Sequence, residues 1–204
     1  MGLDYSYRLF FHESQIWEVL QGVVVMADPL HPGIEVRFPD KTITLPFESF
    51  MRKNKPYEYY EKEFSFATSL NFEEDEALID YITARDYLDE DRSPPDDLDQ
   101  PIISIGFIYL DIRRDFSDYE NPQDGKDVVL FDFGTTGTRM SMLFEYSTSI
   151  RNVFTDLLRT FHGICGIFNR EIEGEVFWFK DHPIPAHYCD PWALPGEIAR
   201  ELAD

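Results

Sequence analysis

Four residues near the C-terminal end of the chain have the types that a borderline-soft metal prefers: His162, Cys165, His187 and Cys189. Two imidazoles and two thiolates are a zinc donor set. Their spacing, His-x-x-Cys and then His-x-Cys, departs from the common zinc patterns. Cys165 also lies in the apolar run 164–168, where a thiol ordinarily serves as a small core residue. A Cys–His nucleophilic pair needs the two groups in contact, which spacing alone does not provide. The expectation is therefore no metal and no cofactor. Two carboxylates stand out from the many others, because Asp111 and Asp132 fall within or at the end of apolar strands. A half-buried carboxylate has a raised pKa unless a cation or a hydrogen bond holds it ionised. Arg113, Arg114 and Arg139 are the nearby candidates for that cation, and a structural ion pair is the expected outcome. His12, beside Ser14, reads as a local hydrogen-bonding group.

The stretch Leu130-Phe131-Asp132-Phe133-Gly134-Thr135-Thr136-Gly137-Thr138-Arg139 resembles the first phosphate loop of the superfamily of sugar kinases, actin and heat-shock chaperone ATPases. The resemblance implies that Asp132 would position Mg²⁺ and that backbone N–H groups of the glycine turn would meet phosphate. It covers these residues and nothing more. In that superfamily the loop belongs to a much longer two-domain body, and the stretch after Gly134 is too short for a second phosphate loop and a base pocket. A hairpin turn whose glycines permit positive φ is the expectation.

Charge separates the partner classes. Lys and Arg total 18 against 39 Asp and Glu, a net charge of −21 over 204 residues. Nucleic-acid binding relies on cations displacing counterions, so DNA, RNA and anionic membrane surfaces are disfavoured. The densest basic stretch, Met51-Arg52-Lys53-Asn54-Lys55, is followed by Glu58, Glu61 and Glu63. Long-range attraction favours a basic protein partner. Two acidic surfaces suit one: Tyr57, Tyr59 and Tyr60 interleaved with Glu58 and Glu61, and the loop from Asp89 to Asp99, which contains Asp96 and Asp97. With two cysteines, no secretory signal and no apolar run of about 18–20 residues, the expected location is the cytoplasm, away from the membrane. Aromatics at 16% leave both a monomer and a homodimer open.

The elements that position these residues follow from hydrophobic periodicity. Tyr5, Tyr7, Leu9 and Phe11 alternate with Ser6, Arg8 and Phe10, a strand with one well-buried face. Ser14 N-caps a helix reaching Met26. A hairpin spans 34–47, a strand 64–70, and a helix runs from about Asp75 to Leu88. From Ile103 to Ile112 apolar residues occupy both alternating sets, which predicts a central strand covered on both faces. Val128–Phe133 is a strand, with Met140, Met142 and Phe144 returning beside it. A helix covers Thr148–Phe161, with Gly163 in its left-handed C-terminal position. A hairpin spans 164–179, and the proline-rich tail from Lys180 ends in a short helix from Pro195. The order suggests a helix-then-hairpin unit used three times. The fold class is α+β, a mostly antiparallel sheet or two packed half-barrels with about three helices on one face. It forms one domain over 1–204, or two halves divided near the acidic loop 89–101. The leading functional expectation is an immunity- or inhibitor-like protein-binding module. The alternative is a small metal-assisted enzyme using carboxylates or the His and Cys groups.

Overall fold

The computed structural model describes residues 2–28, 33–49, 55–86, 102–135 and 137–203. Its elements in chain order are β1 (Ser6–His12), α1 (Ile16–Met26), β2 (Ile34–Arg37), β3 (Thr42–Leu45), β4 (Glu48–Ser49), β5 (Tyr57–Glu58), β6 (Glu63–Glu73) and α2 (Glu76–Asp86). They continue with β7 (Ile102–Arg113), β8 (Val128–Gly134), α3 (Thr138–Tyr146), α4 (Thr148–Thr160), β9 (Cys165–Asn169), β10 (Gly174–Phe179), β11 (His182–Cys189) and α5 (Pro195–Glu201). Eight strands form one antiparallel sheet in the order β11-β10-β9-β1-β8-β7-β6-β4, and β3-β2-β5 form a small second sheet. The architecture is α+β, and a single open sheet stands where two half-barrels were the alternative. The first hairpin sits in the small sheet, so the three helix-then-hairpin units are not equivalent.

Helices α1 to α4 pack one face of the large sheet over a core that includes Leu9, Phe131, Phe133, Phe154 and Trp178. A fifth helix, α5, covers part of the other face over a second core of Phe10, Leu130, Ile167, Val176 and Ile198. That second cover makes β1 buried on both faces, with Arg8 and Phe10 both fully enclosed. Strand β7 shows the reverse. Gly106 has φ +85 and sits in a bulge, because the pairing with β6 slips between Ser69 and Asn71. One extra residue switches the inward set from Ile103 and Ile105 to Ile108, Leu110 and Ile112. The doubly apolar pattern therefore records a change of phase within one buried face, and Phe107 on the other face is 44% exposed.

Other local readings change for equally physical reasons. A single 3₁₀ turn (Glu13–Gln15) precedes α1, and Gln15 closes on the His12 backbone in place of a Ser14 cap. Met140, Leu143 and Phe144 are buried at i, i+3 and i+4, which makes α3 a helix where a returning strand was expected. His162 takes the left-handed position after α4 with φ +51. Gly163 is needed instead because a Cβ there would collide with Leu158. The tail holds an unforeseen strand, β11, whose Pro183 and Pro185 are tolerated because it is the sheet edge. Strands β6 and β7, on either side of the acidic loop, pair with each other, so the sheet runs on across it.

Asp75 joins two helices. Its Oδ1 accepts from the Leu78 N–H at 2.9 Å to cap α2, and its Oδ2 accepts from the Ser149 N–H at 2.9 Å and the Ser147 hydroxyl at 2.7 Å at the start of α4. Burial pushes this carboxyl up, but the hydrogen bonds outweigh it and its pKa ends below the ordinary value. Its contribution is present above the ordinary carboxylate pKa and is lost as pH falls through the lowered value. Asp75→Ala is expected to cost about 2–3 kcal/mol in urea denaturation at neutral pH, since each lost cap is worth roughly 0.5–2 kcal/mol. The difference from wild type should shrink in acid.

Candidate functional site

Four side chains line up across adjacent strands on the face opposite α1 to α4. Cross-strand pairing sets Ser65 opposite Asp111, Asp111 opposite Asp132, and Asp132 opposite Arg8. Directly opposed residues share a face, so the row Ser65–Asp111–Asp132–Arg8 is a continuous polar strip. It floors a groove of about 300 Å³ whose walls include Glu63, Arg113, Tyr119 and Trp192. A second hollow of about 330 Å³ shares Asp111, Asp132 and Trp192 and extends past Tyr109, Gly134 and Asn169. The strip exists because the second cover ends here. The segment entering α5 reaches over Arg8 and leaves Asp111 open.

Arg8 is the anchor. Its side chain has 0% exposure. One Nη donates to the Pro191 carbonyl, the other donates to the Tyr119 hydroxyl at 3.3 Å, and the guanidinium lies 5.2 Å from the Trp192 ring centroid and 5.3 Å from that of Phe10. Its counter-charge is Asp132, with Nε 3.8 Å from Oδ2, beyond hydrogen-bond distance. Both Nε and the Oδ1 of Asp132 are buried without a hydrogen-bond partner. The Asp132 side chain keeps 21% exposure through its other atoms. Burial drives its pKa above the ordinary carboxylate value, Arg8 and Ser6 pull it back, and the charge of Asp111 raises it again. Chemically, the groove offers two facing carboxylates, with a fixed cation behind one of them.

No family model matches the chain, and no curated protein matches it. Among solved structures it is similar to a chain in the 1.75 Å crystal structure of the toxic C-terminal tip of CdiA from Pseudomonas aeruginosa in complex with immune protein. The identity is 10% and the TM-score 0.40, with 91% of this chain and 99% of that chain covered. Likeness of that degree carries no functional inference.

The cation beside Asp132 is Arg8, and none of the three arginines expected there. Arg113 pairs with Glu63 and Asp118, Arg114 with Glu13, and Arg139 lies over the Tyr81 ring. Arg8 was legible as the lone charge between Tyr7 and Leu9 in an apolar strand. Trp192 carried only the signal of an aromatic among prolines. The four His and Cys residues do not converge on one site: His162 pairs with Asp181, His187 pairs with Glu201, and Cys165 is sealed in the second core, against which Cys189 packs. Burial pushes the Cys189 thiol up to about 12, far from a reactive thiolate. Among the described residues no group of three His, Cys, Asp or Glu gathers as a metal site. The element after β8 is the helix α3, so the phosphate-loop likeness ends where that superfamily's second strand would begin.

Tyr57 turns inward, 1% exposed, and its hydroxyl donates to the Ser65 carbonyl. Tyr59 stacks on Phe38, while Tyr60 is 64% exposed. Glu61 accepts from the Glu58 N–H at 2.7 Å and Glu58 faces Arg37 at 4.0 Å. Asp96 and Asp97 lie outside the described residues.

Removing Arg8 leaves a buried carboxylate beside a second one. Arg8→Met is expected to destabilise by about 3 kcal/mol, and Arg8→Met with Asp132→Leu by clearly less. Denaturant titration of both variants measures this. The folded state holds the Asp132 proton more tightly than the unfolded state does, so the stability it contributes falls as pH rises through the raised value. In carbon-13 NMR the Asp132 carboxyl should titrate above the ordinary carboxylate value, and Asp111→Asn should move that titration down.

Proposed function

We propose that this chain is a protein-binding module that docks a basic protein surface in the cytoplasm, in the manner of an immunity or inhibitor protein. The observation that carries the reading is the charge balance, 39 acidic against 18 basic side chains. Such a field accelerates encounter with a cationic partner and repels polyanions. The open sheet face supports it locally, because Asp111 and Asp132 lie among Trp192, Tyr109 and Tyr119. Carboxylates framed by aromatic rings suit Arg and Lys. We assign further contact zones to Tyr59, Tyr60, Glu58 and Glu61, and to Asp96 and Asp97. No helix among the described residues is long and apolar enough to cross a membrane.

Affinity capture at low ionic strength, with mass-spectrometric identification, should recover a basic protein. The association rate of the purified pair should then fall steeply between about 50 and 300 mM salt, as the screening length shortens. An acidic partner, no partner, or a rate indifferent to salt would overturn the reading.

A further inference from the structure

The floor of the groove holds more negative charge than its own cation balances. Asp111 is exposed, faces Asp132 across β7 and β8, and has neither a hydrogen bond nor an ion pair among the described residues. Arg8 stands on the far side of Asp132 and directs its Nη groups to Pro191 and Tyr119. Beside this acidic pair, Arg8 keeps its Nε 3.8 Å from the Oδ2 of Asp132 without a hydrogen bond, and the Oδ1 of Asp132 at the groove floor has no hydrogen-bond partner. Like charges directly opposite each other on neighbouring strands are destabilising, and a donor placed between them removes that cost.

Resting on the docking reading above, we propose that this floor receives one monovalent cationic side chain of the partner, a guanidinium. Two carboxylates and one arginine leave a balance of one negative charge, which a monocation matches. A planar fork can donate to carboxylates on adjacent strands at once and can stack on the Trp192 indole, which a compact ammonium does less well. A groove of about 300 Å³ lies at the small end of ligand sites and takes one long side chain, not a helix or strand. A divalent ion is disfavoured, because Arg8 sits behind Asp132 and no third His, Cys, Asp or Glu among the described residues joins the pair. Hard cations take six or more oxygen ligands. Arg113 offers no competition, being held by Glu63 and Asp118.

The full chain titrated with N-acetylarginine amide, followed by NMR, tests the assignment. The Trp192 indole and the backbone amides of residues 109–112 should shift. The citrulline counterpart, which has the same shape without the charge, should leave them in place. Asp111→Asn, at an exposed position that the fold does not depend on, should weaken the arginine response by about tenfold or more. Equal responses to arginine and citrulline, no response, or a response untouched by Asp111→Asn would each overturn the proposal. So would Mg²⁺ producing the same shifts and blocking arginine, since that identifies a metal site. A basic partner that binds wild type and Asp111→Asn equally removes the groove assignment and leaves docking intact. A chain that recognises arginine amide and captures no basic protein does the opposite.

Discussion

The antiparallel pairing of β1 on both of its edges holds the molecule together, because β8 and β9 are not neighbours in the sheet and meet only through it. From Ser6 to Phe10 each residue has a partner on either side, and from Ser6 to Phe11 both faces are covered as well. Without this strand the β9-β10-β11 hairpins and the β4-β6-β7-β8 half would each present a bare edge, which is a strong driver of mispairing. The contacts involved span most of the chain, so the sheet closes only when the first strand and the later ones have met.

Burial on both faces forces the one charge of β1 into the interior. Arg8 is enclosed by Phe10, Trp192 and Pro191, and the desolvation of a guanidinium costs several kcal/mol unless hydrogen bonds and a counter-ion offset it. Asp132 supplies the counter-ion from the adjacent strand, imperfectly placed at 3.8 Å. The second cover stops there. Arg200 donates to both oxygens of Asp124 at 2.7 Å, fixing α5 against the turn that leads into β8 and setting where the open face begins. The groove is thus a by-product of a sheet with one face fully roofed and the other half roofed.

Net charge and local geometry answer different questions. A charge of −21 acts over a screening length and governs which molecules approach. The row Ser65–Asp111–Asp132–Arg8 acts at contact distance, where dielectric and hydrogen-bond geometry select a particular group. Elsewhere acidity is simply neutralised: Glu175 is held between Arg151 and Arg170, and although burial pushes its carboxyl up, those two arginines bring it below the ordinary value. Asp111 differs from Glu175 in having no such pair among the described residues.

Periodicity alone established the α+β class, the strands around Leu9, Phe66 and Phe131, the amphipathic helix from Thr148, the hairpin of β9 and β10, and the acidic field, because each is a property of nearby residues or of composition. It also singled out Asp111 and Asp132 as carboxylates in apolar strands. It misread β7, where the Gly106 bulge changes phase, and α3, where Met140, Met142 and Phe144 at strand spacing overlap Met140, Leu143 and Phe144 at helical spacing. Tyr57 looked like a surface tyrosine, since nothing local reveals that β5 pairs with β2 and turns it inward. Which arginine stands beside Asp132, and that Trp192 closes over it, were decided by strand order, since residues more than a hundred positions apart become neighbours only when β1 settles between β8 and β9.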